Sequence, residues 1–134
     1  MIYLLDTHYL IWAITDTKKI SKKTKDIIEN ADNTILVSTI SFWEISLKSS
    51  MGKLEITGFD CGDLPALCKE MSFGIEPLSA NDCCTYDKFT ASYHKDPFDR
   101  MLIWQAISNN YTLISKDSNI QKYRSIGLKL ISDN

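Results

Sequence analysis

The sequence predicts an α/β protein whose mainly parallel sheet carries helices on both faces. Three observations point there. Short apolar runs alternate with longer helical patterns along the chain, and strand-helix-strand order implies crossover connections between parallel strands. The first run, IYLL at 2–5, is continuously apolar, as expected of a strand buried on both faces. No repeat, low-complexity tract or linker interrupts the pattern, and 134 residues (1–134) suit a single domain with one substantial core. In such sheets, ligand sites lie beyond the carboxyl ends of the strands.

The elements follow in order. After IYLL, THYLIWAI (7–14) reads as the first helix. Ser21 is placed to cap a second helix reaching about Asn30. TILVS (34–38) is the next strand. Thr39 or Ser41 precedes a third helix to about Ser50, and Gly52 is placed to end it. Around Gly58 and Gly62 the chain is loop. DLPALCKEMSF (63–73) is expected to be helical, GIEPLS (74–79) a short strand, and Ala80 through about Tyr93 a helix. Asp96 and Pro97 suit the N-cap and first position of a helix over PFDRMLIWQAISNN. TLIS (112–115) and LKLIS (128–132) complete the strands, with a short helix near 118–123 between them.

Composition narrows the function classes. With 44% hydrophobic and 24% charged residues the chain is ordinary for a globular protein. No apolar run approaches the ~20 residues needed to cross a bilayer. The opening MIYLLDTHYLIWAI contains Asp6 and lacks a basic n-region and a small-residue cleavage site, so it reads as structure, not as a signal peptide. Cys61, Cys68, Cys83 and Cys84 have no CxxC spacing, and neither His8 nor His94 stands in a finger-like arrangement with them. They read as small buried or half-buried thiols of a reducing cytoplasm. A net charge of −2 argues against a surface built throughout for nucleic acid. The exception is TKKISKKTK, where Lys18, Lys19, Lys22, Lys23 and Lys25 place five lysines within eight positions. Such a run is either a solvated helix face or a phosphate-facing rim.

Four carboxylates stand in unexpected places. Ile40, Trp43 and Leu47 recur at i, i+3 and i+7, the stripe a helix turns toward a core, and the i+4 position is Glu44. Asp99 repeats the anomaly, with Leu102, Ile103 and Ala106 at i+3, i+4 and i+7. Asp6 directly follows IYLL and Asp117 comes two residues after TLIS, so both fall at the carboxyl edge of the sheet. Burying one unpaired carboxylate costs several kcal/mol, and neighbouring carboxylates raise one another's pKa. Lys48 is one turn from Glu44, at the spacing of an i, i+4 pair, but is expected to lean toward solvent, and Arg100 points about 100° away from Asp99. A divalent ion held by oxygen ligands alone, Mg2+ or Mn2+, reconciles the set. Local alternatives exist: Asp6, Asp96 and Asp117 suit helix caps, and Asp99 suits a capping box. Glu44 has the weakest alternative.

An acidic cluster of this kind suits phosphodiester cleavage, in which paired metals activate water and stabilise the leaving oxygen without a protein nucleophile. The chain offers no GxSxG elbow, Walker loop, GxGxxG or HExxH. Ser115 is placed to orient an acidic ligand or a water, and His8 either approaches phosphate or packs against the sheet.

At these residues the sequence resembles the PIN-domain family, and within it the VapC-type toxins of type II toxin–antitoxin pairs. LLDTHYLIW (4–12) is like the family's opening strand with its first acid, Asp6; SFWEISLKSSMGKL (41–54) is like the segment bearing the second, Glu44. HKDPFDRMLIWQA (94–106) is like the segment bearing the third, aligned with Asp99, and LISKD (113–117) like the hydroxyl-x-Asp step bearing the fourth, Asp117. Asp96 is an extra acid in the DPFDR branch, either cap or further ligand. The resemblance covers essentially the whole chain. It implies a three-layer α/β/α fold and a Mg2+- or Mn2+-dependent endoribonuclease that pairs as a homodimer and is inhibited by a small antitoxin. It makes Asp6, Glu44, Asp99 and Asp117 the catalytic metal ligands; for an RNA substrate, the lysine run itself offers Lys18, Lys19, Lys22 and Lys23 to flanking phosphates. Two departures stand out: Trp104 is bulky where many relatives carry a small residue, and Ser115 replaces the commoner threonine. Two other readings compete. One is a catalytically weak module that keeps the fold and acts by docking a protein partner. The other is a receiver-type or phosphatase domain using Asp6 as phosphoryl acceptor, which the absence of a DxD motif disfavours.

Overall fold

The computed structural model describes residues 1–93 and 95–132. Strands β1 (Ile2–Leu5), β2 (Thr34–Ser38), β3 (Gly74–Glu76), β4 (Thr112–Ser115) and β5 (Lys129–Ser132) form a parallel sheet in the order β3-β2-β1-β4-β5. The chain starts in the middle, moves outward through β2 to β3, then crosses back to build β4 and β5 on the other side. Strand order therefore reverses between β1 and β4, the place where an open α/β sheet forms a crevice. Asp6 N–H extends the β1 ladder by one bond, to the Ile114 carbonyl at 3.0 Å.

The period of two along each strand distributes the core to both faces. Tyr3 and Leu5 of β1, Ile35 and Val37 of β2, and Ile114 of β4 face one cluster with Tyr9, Leu10, Ile45 and Leu64. These come from helices α1 (Thr7–Thr15), α3 (Thr39–Ser50) and α4 (Leu64–Glu70), and α2 (Lys22–Glu29) packs on the same cluster through Ile27 and Ile28. Leu4, Leu113 and Leu130 face the other cluster, with Leu102, Ile103 and Ala106 of α6 (Pro97–Asn109) and Ile120 and Tyr123 of the 3-10 run Ser118–Ile126. The layers are helix, sheet, helix, as expected. No helix among the described residues is long and apolar enough to cross a membrane.

Several expectations need correction. Ser38 caps α3, accepting from Ile40 N–H, and Thr39 is already helical. Thr39 and Ser41 do other work: Thr39 Oγ1 accepts from Leu78 N–H, and Ser41 Oγ meets Thr7 Oγ1 at 2.8 Å. The inward face of α3 is Ile40, Ser41, Glu44 and Ile45; Trp43 is 60% exposed and packs edge-on to Phe98. The fourth helix stops at Glu70, before Ser72 at φ 61°, and β3 stops before Pro77, which has no N–H to give a ladder. The helix from Ala80, α5 (Ala80–Thr85), tightens into a 3-10 turn at Tyr86–Lys88 and ends there, well short of Tyr93. The reason is Arg100. Its guanidinium donates to the Phe89 and Ala91 carbonyls and to Tyr86 Oη, and lies 4.5 Å from the centre of the Phe89 ring. Carbonyls spent on Arg100 are lost to a continuing helix. Cys68 is buried and Cys61 half-buried, but Cys83 and Cys84 are exposed, because α5 turns Asp82 inward to meet Ser108 and Asn109. Trp104 finds room by stacking on Phe89, 5.7 Å between ring centres, and donating to Thr85 Oγ1.

Candidate active site

The crevice between β1 and β4 is where the acids gather. Asp6 stands one residue past β1 and is 5% exposed. One oxygen, Oδ1, caps α1 by accepting from His8 N–H at 2.9 Å and lies 3.3 Å from His8 Nδ1. The other, Oδ2, accepts from Ser115 Oγ at 2.8 Å. Ser115 is fully buried at the end of β4, and its Oγ in turn accepts from Asp117 N–H at 3.3 Å. The hydroxyl thus ties the first acid to the turn that carries the last. Asp117 Oδ1 caps the 3-10 run through Asn119 N–H.

Asp6, Asp99 and Asp117 line one open cleft of about 290 Å3, together with His8, Tyr9, Trp12 and Lys116. Asp99 is in the first turn of α6, where Asp96 Oδ1 caps the helix by accepting from Phe98 and Asp99 N–H. Pro97 at the first position fixes the entry of the helix, so the DPFD step fixes where Asp99 starts. Capping and site roles therefore coexist: Asp6, Asp96 and Asp117 each cap, and two of the three also line the cleft. Among the described residues no three His, Cys, Asp or Glu side chains meet closely enough to form a ready metal cage. The acids ring the cleft instead of converging on a point.

Glu44 is not among the residues that line this cleft; it is 4% exposed, and its charge acts on Asp99 and His8, which do line it. Lys48, one turn on, donates to its Oε2. The expectation that Lys48 leans to solvent is wrong: its ammonium lies 5.7 Å from the Phe98 ring centre, and its side chain is 34% exposed. The i, i+4 spacing lets the long stem reach back over the Glu44 carboxylate. The other oxygen, Glu44 Oε1, is buried without a hydrogen-bond partner among the described residues. A buried partnerless acceptor is costly and calls for explanation. An all-oxygen donor set with an orphaned carboxylate oxygen beside it fits a hard divalent cation.

Electrostatics tie three of the four segments together, those carrying Asp6, Glu44 and Asp99. Burial, then the negative charges of Asp6, Asp96 and Glu44, push the Asp99 carboxyl up to about 7 from 3.8, against a smaller opposing pull from His8. The hydrogen bond to Asp6 raises the His8 pKa, burial lowers it, and the charges of Asp6, Asp99 and Glu44 raise it further, for a net increase. Burial lowers the Lys48 pKa, but its bond to Glu44 and the charges of Glu44, Asp96 and Asp99 outweigh that and raise it overall. The pH dependence follows. Folded Asp99 holds its proton more tightly than the unfolded chain does, so its contribution to stability is complete below about 3.8 and lost as pH rises toward about 7. His8, also raised, acts in the same direction around and above its ordinary range. Thermal melts in chelator should therefore fall in midpoint between about pH 4 and pH 7, and Asp99→Asn should flatten that fall. An unchanged slope in the variant would mean that Asp99 does not feel the other acids.

The lysine run divides. Lys19 borders a second groove beside the acidic cleft, Lys22 pairs with Asp26 at 3.7 Å, and Lys25 lines a separate concavity of about 710 Å3. Lys18 and Lys23 are exposed. That concavity opens near the amino end of β2, with Glu29 as its one lining carboxylate among the described residues, and lacks the chemistry of the acidic cleft. The sequence pattern does not single out Lys116. Its place between Ser115 and Asp117, one residue from each, is the signal that could have found it. His94 lies outside the described residues.

Comparison with known proteins agrees with this architecture. A family model for the PIN domain matches residues 3–126. Ribonuclease VapC22 of Mycobacterium tuberculosis is 26% identical over 122 residues, spanning 90% of this chain and 91% of that protein. A chain from VapBC2 of Rickettsia felis, solved bound to a DNA fragment from their promoter, superposes with a TM-score of 0.70 at 20% identity, covering 100% of each chain. A chain from DNA-bound VapBC of Salmonella typhimurium gives 0.67 at 14% identity, covering 100% of this chain and 99% of that one. At such identities the solved structures speak to fold alone. The family model spans nearly the whole sequence, both flanks of the crevice included, and on that match the chain belongs to the PIN domain family.

Proposed function

We propose that this protein is a Mg2+- or Mn2+-dependent endoribonuclease that hydrolyses RNA phosphodiester bonds, and that it is the toxin of a type II toxin–antitoxin pair. The observation that carries the reading is the meeting of Asp6, Asp99 and Asp117 on one cleft, backed by a buried Glu44 with a partnerless oxygen. Asp6, Glu44, Asp99 and Asp117 would hold the ion. Asp96, which spends one oxygen on its helix cap, is the lesser candidate. A bound divalent ion supplies Lewis-acid stabilisation of phosphoryl charge and a lower pKa for water. The chain's own residues do the rest. Ser115 fixes the Asp6 carboxylate, Lys48 fixes one oxygen of Glu44, and Lys116 offers positive charge to the RNA backbone at the cleft. His8, exposed at the same cleft and hydrogen-bonded to Asp6, holds its proton more tightly than a free imidazole does.

Relatives support both halves: the similar Mycobacterium tuberculosis protein is named a ribonuclease, and the similar folds come from VapBC assemblies. The partner expected here is a small antitoxin protein. Purified protein should cut single-stranded RNA in Mn2+ or Mg2+, stop in excess EDTA, and resume when metal is restored. Cleavage that persists undiminished in EDTA contradicts the metal reading. For the toxin half, expression should arrest growth, and co-expression of a small antitoxin encoded by a neighbouring reading frame should relieve the arrest.

A further inference from the structure

We propose that the groove on the far side of Trp12 from the acids receives a nucleobase of single-stranded RNA next to the cleaved phosphate. This rests on the nuclease reading above and adds a substrate subsite to it. The groove measures about 320 Å3 and adjoins the acidic cleft. His8 and Trp12 line both, so the two depressions form one trough divided by a single pair of rings, 5.8 Å apart.

The chemistry changes across that pair. On one side are Asp6, Asp99, Asp117 and Lys116. On the other are Ile11, Ile45, Leu54, Ile56 and Phe59, with exposed Lys19 also bordering the groove. A nucleotide has the same division: a charged phosphate at one end and a flat, apolar-faced base at the other. Proteins that hold single strands combine cations along the backbone with aromatic rings on which bases stack. Trp12 is braced for such a role by the edge of Tyr9 at 5.1 Å and by the Lys116 ammonium at 5.9 Å. Lys116 on the acidic side and Lys19 on the apolar side place positive charge along the strand's path. Thr15, Glu55 and Thr57 add hydroxyl and carboxylate groups to the groove, able to meet a base edge and bias which base is taken.

The test uses Asp99→Asn protein in Mg2+ with short single-stranded RNA, intact or with one abasic ribose moved along the strand. The chain has three tryptophans, so RNA binding is read by fluorescence quenching as well as by affinity. Adding Trp12→Leu should weaken binding by roughly 5- to 100-fold, the usual loss for one stacked base. Removing one particular base should cost the protein that keeps Trp12 a similar factor and cost the Trp12→Leu variant nothing. Phe59→Leu, with both variants checked by thermal melt, provides the same comparison if Trp12→Leu folds poorly. An abasic scan that affects the protein with Trp12 and the Trp12→Leu variant equally at every position overturns the subsite and leaves the groove to a protein partner. Cleavage of intact RNA by the unmodified protein is scored separately: cleavage with an indifferent scan defeats the subsite alone, and absence of RNA binding defeats both.

Discussion

Asp99→Asn is expected to lower kcat/KM for RNA by about two to three orders of magnitude, the scale of losing one well-placed electrostatic contact at a developing charge. The same variant should be more stable than the unmodified protein in chelator at neutral pH. Both effects have one cause. Burial and the charges of Asp6, Asp96 and Glu44 push the Asp99 carboxyl up to about 7, so an ionised aspartate there strains the fold. A neutral amide of the same shape removes the repulsion and, with it, the charge that the proposed ion site draws on. Stability gained while activity is lost is the pattern of a residue kept for function. Single-turnover cleavage and thermal melts on the same preparation check the pair. Cleavage at the unmodified rate would take Asp99 out of the site.

The second large effect is at Asp6. Asp6→Asn should cost a similar factor in kcat/KM with little change in melting temperature. Asparagine can still accept from His8 N–H, so the cap on α1 survives, and Ser115 Oγ can exchange its donor role for an acceptor role. What disappears is the charge. Ser115→Ala separates orientation from charge: it leaves the Asp6 carboxylate but removes its 2.8 Å tether, and an outer contact of that kind is worth about 10- to 100-fold. Steady-state kinetics should therefore rank Asp6→Asn well below Ser115→Ala. Equal losses in the two variants would mean that the charge of the Asp6 carboxylate counts for no more than its orientation.

The legible parts of the fold are those written in local pattern. IYLL, TILVS and TLIS are short apolar runs with turn chemistry on each side, and each forms a strand with the bounds its pattern implies. The Asp96-Pro97 start of α6 is legible because a cap and a fixed φ leave the backbone little choice. Asp6 and Asp117 are legible as site candidates because sheet topology puts both at one edge. What escapes depends on tertiary contacts. The early end of the helix from Ala80 follows from Arg100 taking the Phe89 and Ala91 carbonyls, which no local pattern announces. Trp43 matches the apolar period of α3 yet faces outward, because the inward face is set by Ser41 meeting Thr7 and by Glu44. Lys48 departs from its expected place because its flexible stem reaches back one turn to the buried Glu44 carboxylate. The cap readings of Asp6, Asp96 and Asp117 are sound but incomplete: a capping carboxylate has a second oxygen, and at Asp6 that oxygen is bound by Ser115.

In the proposed function, acids from four separate segments hold one or two divalent ions between them. Calorimetric titration of Mn2+ into purified protein, unmodified and Glu44→Gln, tests it most directly. Glu44 is the discriminating position because it lies on a different helix from Asp99 and caps nothing, so the substitution changes a ligand without disturbing a helix end. Saturable binding to the unmodified protein, weakened by about tenfold or more in Glu44→Gln, is the expected result. Equal Mn2+ affinity in the two proteins, or no saturable binding to either, would contradict it.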